Sequence, residues 1–205
     1  MSHATLLVGV GGQGVLTAAQ VLGAAAQSAG LHVVVGQLHG MSQRGGSIEC
    51  TVKIGPGESS VVGDGEADVV LAFEPLEALR ALPRMRKDTR VILSLGTIVP
   101  FELVRTGGTY PPVDSIVEQL RAVAGQVVPL DGVKIVGKTG ADRTLNVVML
   151  GAAAGLGMLP MSEEHVLGAV LERTAPKFRE ANRAAFLLGR QAVGALVSWP
   201  LEAQR

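Results

Sequence analysis

The sequence predicts an α/β fold with a helical section at its C-terminal end. In the first two-thirds of the 205 residues, short apolar segments of strand length alternate with segments of helical pattern. A glycine-rich turn joins the first predicted strand to the first predicted helix, and the last third contains only helical patterns. Such alternation is typical of a parallel or mixed sheet covered on both faces. We therefore predict a Rossmann-like layered sheet with helices on both faces.

Composition supports a folded chain with one hydrophobic core. Hydrophobic residues make up 47% and charged residues 18% of the sequence, whereas a disordered chain needs low hydrophobicity and high net charge. A length of 205 residues suits one domain. We expect a single domain over residues 1–205, in which residues 1–140 form the α/β core and residues 141–205 form a helical section packed on it.

Charge and cysteine content exclude several classes of function. Lys plus Arg and Asp plus Glu both number 18, so the chain has no net charge that favours nucleic acid. The only cysteine, Cys50, cannot form an internal disulfide or a cysteine-ligated iron–sulfur cluster, and we expect it to be a small core residue in a strand. The histidines lack the spacing of metal ligands, so we expect no metal on this chain.

Neither the first residues nor the longest apolar segment predicts a membrane protein. Residues 1–3 contain no Lys or Arg, which disfavours a secretory signal. Residues 145–162 carry no formal charge, but Asn146 and Pro160 within them favour a buried helix over a membrane span. We expect a cytoplasmic protein with no membrane partner.

The elements of the core follow from apolar runs and from the residues that interrupt them. The first helix is rich in Ala, Leu and Gln and ends at Gly30, and the turn Gly55-Pro56-Gly57 ends the third strand. The predicted strands are residues 5–8, 31–38, 47–54, 68–73, 90–95 and 126–130, and the predicted core helices are residues 15–29, 75–82 and 113–124.

The last third predicts three helices, over residues 143–159, 162–173 and 176–197. Ser162 followed by Glu163 and Glu164 is typical of a helix N-terminus with acidic residues in its first turn. Pro176 suits the first position of a helix.

The glycine-rich loop is a candidate site for a ligand or a subunit contact. Gly9, Gly11 and Gly14 satisfy the pattern G-x-G-x-x-G, and Gly12 and Gln13 complete the loop. Glycines at this spacing allow a tight turn and the close approach of a ligand to backbone amides, and the N-terminus of the following helix favours an anion.

The glycine loop lacks the partner that NAD binding requires. An Asp or Glu at the end of the second strand should hold the ribose, but residues 36–38 read Gly-Gln-Leu and the first acidic residue of the chain is Glu49. NAD(P) binding is therefore disfavoured but stays open beside three other interpretations. These are a turn that only allows close helix–strand packing, a site for another anionic group, and a surface that contacts another subunit.

The segment between the second and third strands concentrates polar side chains and glycines. Its candidate site residues are His39, Met41, Gln43, Arg44, Gly45 and Gly46. Arg44 is the only formally charged residue among the first 48. We expect this segment to lie at the same carboxyl end of the strands as the glycine loop and to face a partner subunit or an active site. The alternative is an exposed loop with an ordinary solvated arginine.

The triplet Gly63-Asp64-Gly65 has the form that thiamine diphosphate enzymes use to hold the metal on the diphosphate. Such a motif needs an Asn some 25 to 30 residues later, and the only asparagines are Asn146 and Asn182. We therefore expect Asp64 to be a turn residue.

Several motifs together resemble one known family. They are Gly9-Val-Gly-Gly-Gln-Gly-Val15 after the first strand, Met41-Ser-Gln-Arg-Gly-Gly-Ser47 before the third, Asn146 with Leu150-Gly-Ala152, and the stretch of residues 177–189 that contains Asn182, Phe186 and Gly189. Over nearly the whole chain the sequence resembles the gamma-type subunits of 2-oxoacid:ferredoxin oxidoreductases. Residues 39–44 are most similar to the small subunits of the branch that oxidises indolepyruvate.

The resemblance implies a subunit without cofactors or catalytic residues of its own. Thiamine diphosphate, Mg²⁺ and iron–sulfur clusters would lie on larger partner subunits, CoA would be a co-substrate, and electrons would reach ferredoxin through the partners. The complex would convert a 2-oxoacid, such as indolepyruvate or another aryl pyruvate, to an acyl-CoA. The isolated chain could form a homodimer. The alternatives are a stand-alone nucleotide- or CoA-binding module and an NAD(P)-dependent oxidoreductase.

Overall fold

A six-stranded mixed sheet forms the centre of the molecule. The computed structural model describes residues 2–39, 46–139, 141 and 143–197. The strands are β1 (His3–Val10), β2 (Val33–His39), β3 (Ser47–Ile54), β4 (Val69–Ala72), β5 (Arg90–Ser94) and β6 (Gln126–Leu130), in the order β2-β3-β1-β4-β5-β6. Strands β1, β4, β5 and β6 are parallel, and β3 is antiparallel to both of its neighbours, β1 and β2.

Helices cover both faces of the sheet. They are α1 (Val15–Ser28), α2 (Pro75–Arg80), α3 (Phe101–Thr106), α4 (Val113–Val123), α5 (Gly132–Gly137), α6 (Leu145–Gly155), α7 (Glu163–Glu172) and α8 (Arg179–Val197). Helices α1, α6, α7 and α8 share one core with side chains such as Leu7 and Ile92, and α2 and α4 share the other with Leu6 and Leu93. Alternate side chains of a strand therefore serve opposite cores. This layered arrangement confirms the predicted fold class.

The C-terminal section is held by a close crossing of α6 and α8. A Cβ added at Gly151 would lie 2.0 Å from the carbonyl oxygen of Phe186, and one added at Gly189 would lie 2.0 Å from the carbonyl oxygen of Val148. The two backbones are thus in direct contact, which only glycine permits. Helix α6 is buried from Asn146 to Ala154, so the uncharged segment is the buried core helix that the sequence predicts.

The observed elements match the predicted ones except where a helix is short. All six strands lie where they are predicted, and Cys50 is a fully buried residue of β3. Helices α3 and α5 are absent from the prediction because six residues are too few for an apolar period to show. Helix α2 is equally short, but a proline at its first position marks its start. Pro176 begins a 3₁₀ turn rather than the last helix, which starts at Arg179.

In the described part of the chain, no helix combines the length and apolar character needed to cross a bilayer. The expectation that residues 1–205 form one domain stays a prediction.

Candidate functional site

The glycine loop and the two described ends of the second candidate loop, His39 and Gly46, lie at the carboxyl edge of the sheet. Because β3 is antiparallel to both β1 and β2, the ends of β1 and β2 and the beginning of β3 share this edge. Val10 pairs with Ser47, and the N–H of Gly11 donates to the carbonyl of Gly46 at 3.0 Å. The structure therefore brings Gly46 against the glycine loop.

Of the other residues of the second loop, the structure describes only His39. His39 is the last residue of β2, and its backbone alone is described. Met41, Gln43, Arg44 and Gly45 lie outside the described residues, so their roles stay predictions.

The side chain of Gln13 ties β1 to β4. Its Oε1 accepts a hydrogen bond from the N–H of Val10 at 2.7 Å, and its Nε2 donates to the carbonyl of Phe73 at 2.8 Å. From β1 the sheet continues through β3 to β2 on one side, and from β4 through β5 to β6 on the other. The gap between β1 and β4 is therefore the topological switch point where open α/β sheets usually bind ligands. In this protein, the amide of Gln13 bridges the strand ends at that point.

The glycines of the loop serve different purposes. Gly12 and Gly14 have φ values of +103° and +81°, in the left-handed region that favours glycine. A Cβ at Gly14 would lie 2.9 Å from Cγ of Asn146, whereas a Cβ at Gly12 would meet nothing within 4 Å. A Cβ at Gly9 would lie 2.8 Å from side-chain atoms of Gln13, Phe73 and Val15. Packing thus requires glycine at Gly9 and Gly14, whereas Gly12 faces open space.

Helix α1 begins at Val15, three residues after Gly12. Its N-cap is Gly14, with no side-chain cap and no acidic residue in the first turn. The first amides of a helix lack intrahelical partners and carry a partial positive charge. Asn146, which is buried, packs against Gly14 from the first turn of α6. The loop can therefore receive an anionic group or a partner's carbonyl from the side of Gly12.

Two buried carboxylates lie next to this loop, and the sequence analysis missed them. Glu74 and Glu77, at the start of α2, are only 1% and 3% exposed. Glu77 accepts hydrogen bonds from Oγ of Ser47 and from Nη1 of Arg80, both at 2.5 Å. A signal for the start of α2 is present in the sequence, since Pro75 stands at the first helical position and Glu77 in the first turn.

Glu74 joins three segments of the chain. It accepts from the N–H of Glu77 at 3.1 Å, from the N–H of Ile98 at 3.2 Å and from the hydroxyl of Tyr110. Burial, with the hydrogen bond to Glu74, raises the pKa of Tyr110 far above its ordinary value. The hydroxyl therefore stays protonated and donates to the carboxylate.

Exposed apolar side chains lie at or after the carboxyl ends of β2, β5 and β6. Ile98 and Val99 come after β5, Val133 comes after β6, and Leu38 lies near the end of β2; they are 38%, 49%, 65% and 58% exposed. We call the glycine loop, Gly46, Ser47 and these four apolar residues the carboxyl-edge face.

The other candidate features lie elsewhere or are already paired. Asp64 sits in a turn before β4, and its carboxylate accepts from Arg84 at 2.6 Å. This confirms the predicted turn residue. Within residues 2–39, 46–139, 141 and 143–197, no group of three His, Cys, Asp or Glu side chains could hold a metal ion.

Comparison with known proteins gives one consistent result. Residues 4–192 match the family model described as pyruvate ferredoxin/flavodoxin oxidoreductase. The chain is 41% identical over 186 residues to indolepyruvate oxidoreductase subunit IorB of Methanothermobacter thermautotrophicus, covering 91% of this chain and 95% of that protein. It is 40% identical to the subunit of the same name from Archaeoglobus fulgidus, over 90% and 92% of the two chains.

Solved structures share the fold. The gamma subunit of a keto/oxoacid ferredoxin oxidoreductase from Geobacter sulfurreducens superposes with a TM-score of 0.69 at 24% identity, covering 94% of this chain and 99% of that one. A 2-oxoglutarate:ferredoxin oxidoreductase from Magnetococcus marinus gives a TM-score of 0.73 at 21% identity, covering 98% of this chain but 32% of that longer one. In this second structure, the fold of this chain therefore forms one part of a chain about three times as long.

Proposed function

Because the chain belongs to the pyruvate ferredoxin/flavodoxin oxidoreductase family, we propose that it is the small subunit of a 2-oxoacid:ferredoxin oxidoreductase and is inactive alone. The observation that carries this proposal is the similarity to indolepyruvate oxidoreductase subunits over nine-tenths of the chain. We propose indolepyruvate or another aryl pyruvate as the substrate, oxidised to an acyl-CoA with ferredoxin as the electron acceptor.

The cofactors of that reaction belong on the partner subunits in this proposal, because this chain's residues do not fit them. Cys50 is the only cysteine, and burial raises the pKa of its thiol to about 11, so it is a poor iron ligand. Asp64, in the triplet that resembles a thiamine motif, is already paired with Arg84. Thiamine diphosphate, Mg²⁺ and iron–sulfur clusters are therefore assigned to larger partner chains.

The contribution of this chain is its carboxyl-edge face. We place the partner subunit against this face, where the apolar side chains of Ile98, Val99 and Val133 offer contact area. Gly12 and the N-terminus of α1 suit an anionic group there, such as a phosphate of CoA. Arg44 would add a guanidinium that forms paired bonds with carboxylate or phosphate.

The geometry disfavours a stand-alone NAD(P) enzyme. In a dinucleotide-binding unit the second strand is parallel to the first and adjacent to it, but here the antiparallel β3 separates β1 from β2. The crevice at the end of β1 is bridged by Gln13. Both features weaken the alternative that the glycine pattern first suggested.

Reconstitution tests the proposal. The chain is tagged in the cells that make it, the associated large subunit is purified with it, and the two are separated and recombined. We expect 2-oxoacid-dependent reduction of ferredoxin only from the recombined pair, with indolepyruvate or phenylpyruvate preferred over pyruvate and 2-oxoglutarate. Oxidation of substrate by the isolated chain with NAD(P) would contradict the proposal.

A further inference from the structure

The acid pair Glu74–Glu77 forms only one of the two bonds of a capping box, in which the carboxylate of Glu74 accepts the N–H of Glu77. Glu74 is the N-cap of this helix, and Glu77 is the third helical residue. In a capping box, the acidic residue at that position bonds back to the N–H of the N-cap residue. The carboxylate of Glu77 instead accepts from Ser47, the first residue of β3.

Through Ser47, Glu77 holds one part of the carboxyl-edge face. Ser47 follows Gly46, whose carbonyl accepts the N–H of Gly11. The bond from the Ser47 hydroxyl to Oε2 of Glu77, at 2.5 Å, therefore connects α2 to the segment that supports the glycine loop.

Glu74 holds the other part of this face. Its Oε1 accepts the N–H of Ile98 at 3.2 Å, and Ile98 and Val99 point their apolar side chains to the surface. Tyr110, the only tyrosine of the chain, donates to the same oxygen and accepts from the N–H of Leu76 at 3.1 Å. One buried carboxylate thus fixes the loop after β5 and the segment before α4.

Stability alone does not explain this arrangement. Removing two carboxylates from water carries a desolvation penalty that can exceed the gain from their contacts, and apolar residues of similar volume often serve as well. Among the described residues, Arg80 is the only cation in contact with the pair, and its side chain is half-exposed. Each acid accepts a hydrogen bond from one residue near this face, Glu77 from Ser47 and Glu74 from Ile98. Holding a face in its bound conformation strengthens association by reducing the ordering cost.

We infer that Glu74 and Glu77 are positioning residues that hold the carboxyl-edge face in the conformation that binds the large subunit. They act through Ser47 and Ile98 and do not touch the substrate. This inference rests on the proposed function, because it requires a large subunit that binds this face.

The experiment measures the dissociation constant between this chain and the purified large subunit. The variants are Ser47→Ala, Glu77→Gln, the double variant and Tyr110→Phe. The matched control is Glu163→Gln, which removes the charge from an exposed ion pair whose partner, Arg190, is 3.0 Å away. This pair lies near the C-terminal end of α6, away from the carboxyl-edge face. All measurements are made at a temperature well below the midpoint of each variant's thermal unfolding, so that every variant is folded. A loss of stability alone then leaves the dissociation constant unchanged.

We expect Ser47→Ala and Glu77→Gln each to weaken binding about tenfold, as a misplaced contact segment does. The double variant should bind no more weakly than the weaker-binding of the two single variants, because both changes act on one hydrogen bond. Tyr110→Phe should also weaken binding, and the control should bind like the parent.

Two other results are decisive. If the parent chain does not bind the large subunit, the proposed function fails, and this inference fails with it. If the parent binds and the folded Ser47→Ala and Glu77→Gln variants bind equally well, only the inference is overturned. Ser47→Ala removes a single hydroxyl, so it decides the matter even if Glu77→Gln does not fold.

Discussion

The glycine loop and the α6–α8 crossing both depend on glycine, but for different physical reasons. In the loop, Gly12 and Gly14 adopt positive φ values that side chains disfavour, and Gly12 has open space around it. In the crossing, Gly151 and Gly189 have ordinary helical backbones, and it is the carbonyl of the other helix that occupies the place of a Cβ. A recognisable sequence pattern identifies the loop, whereas the closest contacts at a glycine, with a backbone carbonyl, occur in the crossing.

The largest effect is expected at the crossing. Gly151→Ala would place a Cβ 2.0 Å from the backbone oxygen of Phe186, so the helices must separate. We expect a loss of about 3 kcal/mol or more in the free energy of unfolding, measured with urea, because overpacking here adds to lost core contacts.

The matched control for this change is Gly168→Ala in α7, where a Cβ meets nothing within 4 Å. It should stabilise the protein by about 0.5–1 kcal/mol through helix propensity. Equal effects of the two substitutions would show that α6 and α8 do not cross as closely as described.

The second prediction compares the loss of stability caused by substitutions at two glycines of the loop. Gly14→Val combines a strained φ with a clash against Asn146, and we expect a loss of about 2–4 kcal/mol. Gly12→Ala adds strain without a clash, so about 1–2 kcal/mol is expected. The close packing that the sequence predicts around the loop is present, but at Gly14 it involves α6 rather than a strand. Urea midpoints in the opposite order would overturn this distinction.

The third effect concerns Gln13, which secures the loop to two strands. Gln13→Ala removes both hydrogen bonds and should cost about 1–3 kcal/mol, because buried backbone groups lose their partners. Gln13→Glu keeps an acceptor for Val10 but turns a carboxylate oxygen toward the carbonyl of Phe73, so it should cost more than Gln13→Ala. The same urea titration compares them, and a Glu variant as stable as the parent would show that the amide does not bridge the strands.

The sequence allowed the layers and the shared edge to be predicted, because apolar periods and glycine positions are local signals. The antiparallel β2–β3 pair also had a local cause, since the short segment between them leaves too little chain for a parallel crossover. The bonds of Gln13 to Phe73 and of Glu77 to Ser47 join residues 60 and 30 positions apart. No local pattern reveals such partners, so the acid pair and the bridged crevice emerged only from the structure.

The rate at which a thiol reagent labels Cys50 tests which of the two glycine regions opens more readily. The thiol is fully buried in β3, and burial raises its pKa to about 11, so it should not react with a disulfide reagent at pH 8 while the protein is folded. We expect Gly151→Ala to accelerate labelling more than Gly12→Ala, because the larger loss of stability populates open states more. Faster labelling of the Gly12 variant would place the weaker region at the loop instead.

The smallest effect is a pH dependence that arises at the opposite edge of the sheet. Burial lowers the pKa of His3 from 6.5, Asp68 opposes this, and Arg90 adds to it; Nε2 of His3 is buried without a hydrogen-bond partner. Below pH 6.5 the unfolded chain therefore binds more protons than the folded chain, and stability falls until the lowered pKa is reached. We expect the free energy of unfolding to decrease from pH 7 to pH 5, and His3→Gln to reduce that slope. Because His3 lies at the opposite edge of the sheet from the glycine loop, its contribution should add unchanged to that of Gly12→Ala. A slope that His3→Gln leaves intact would assign the pH dependence to other groups.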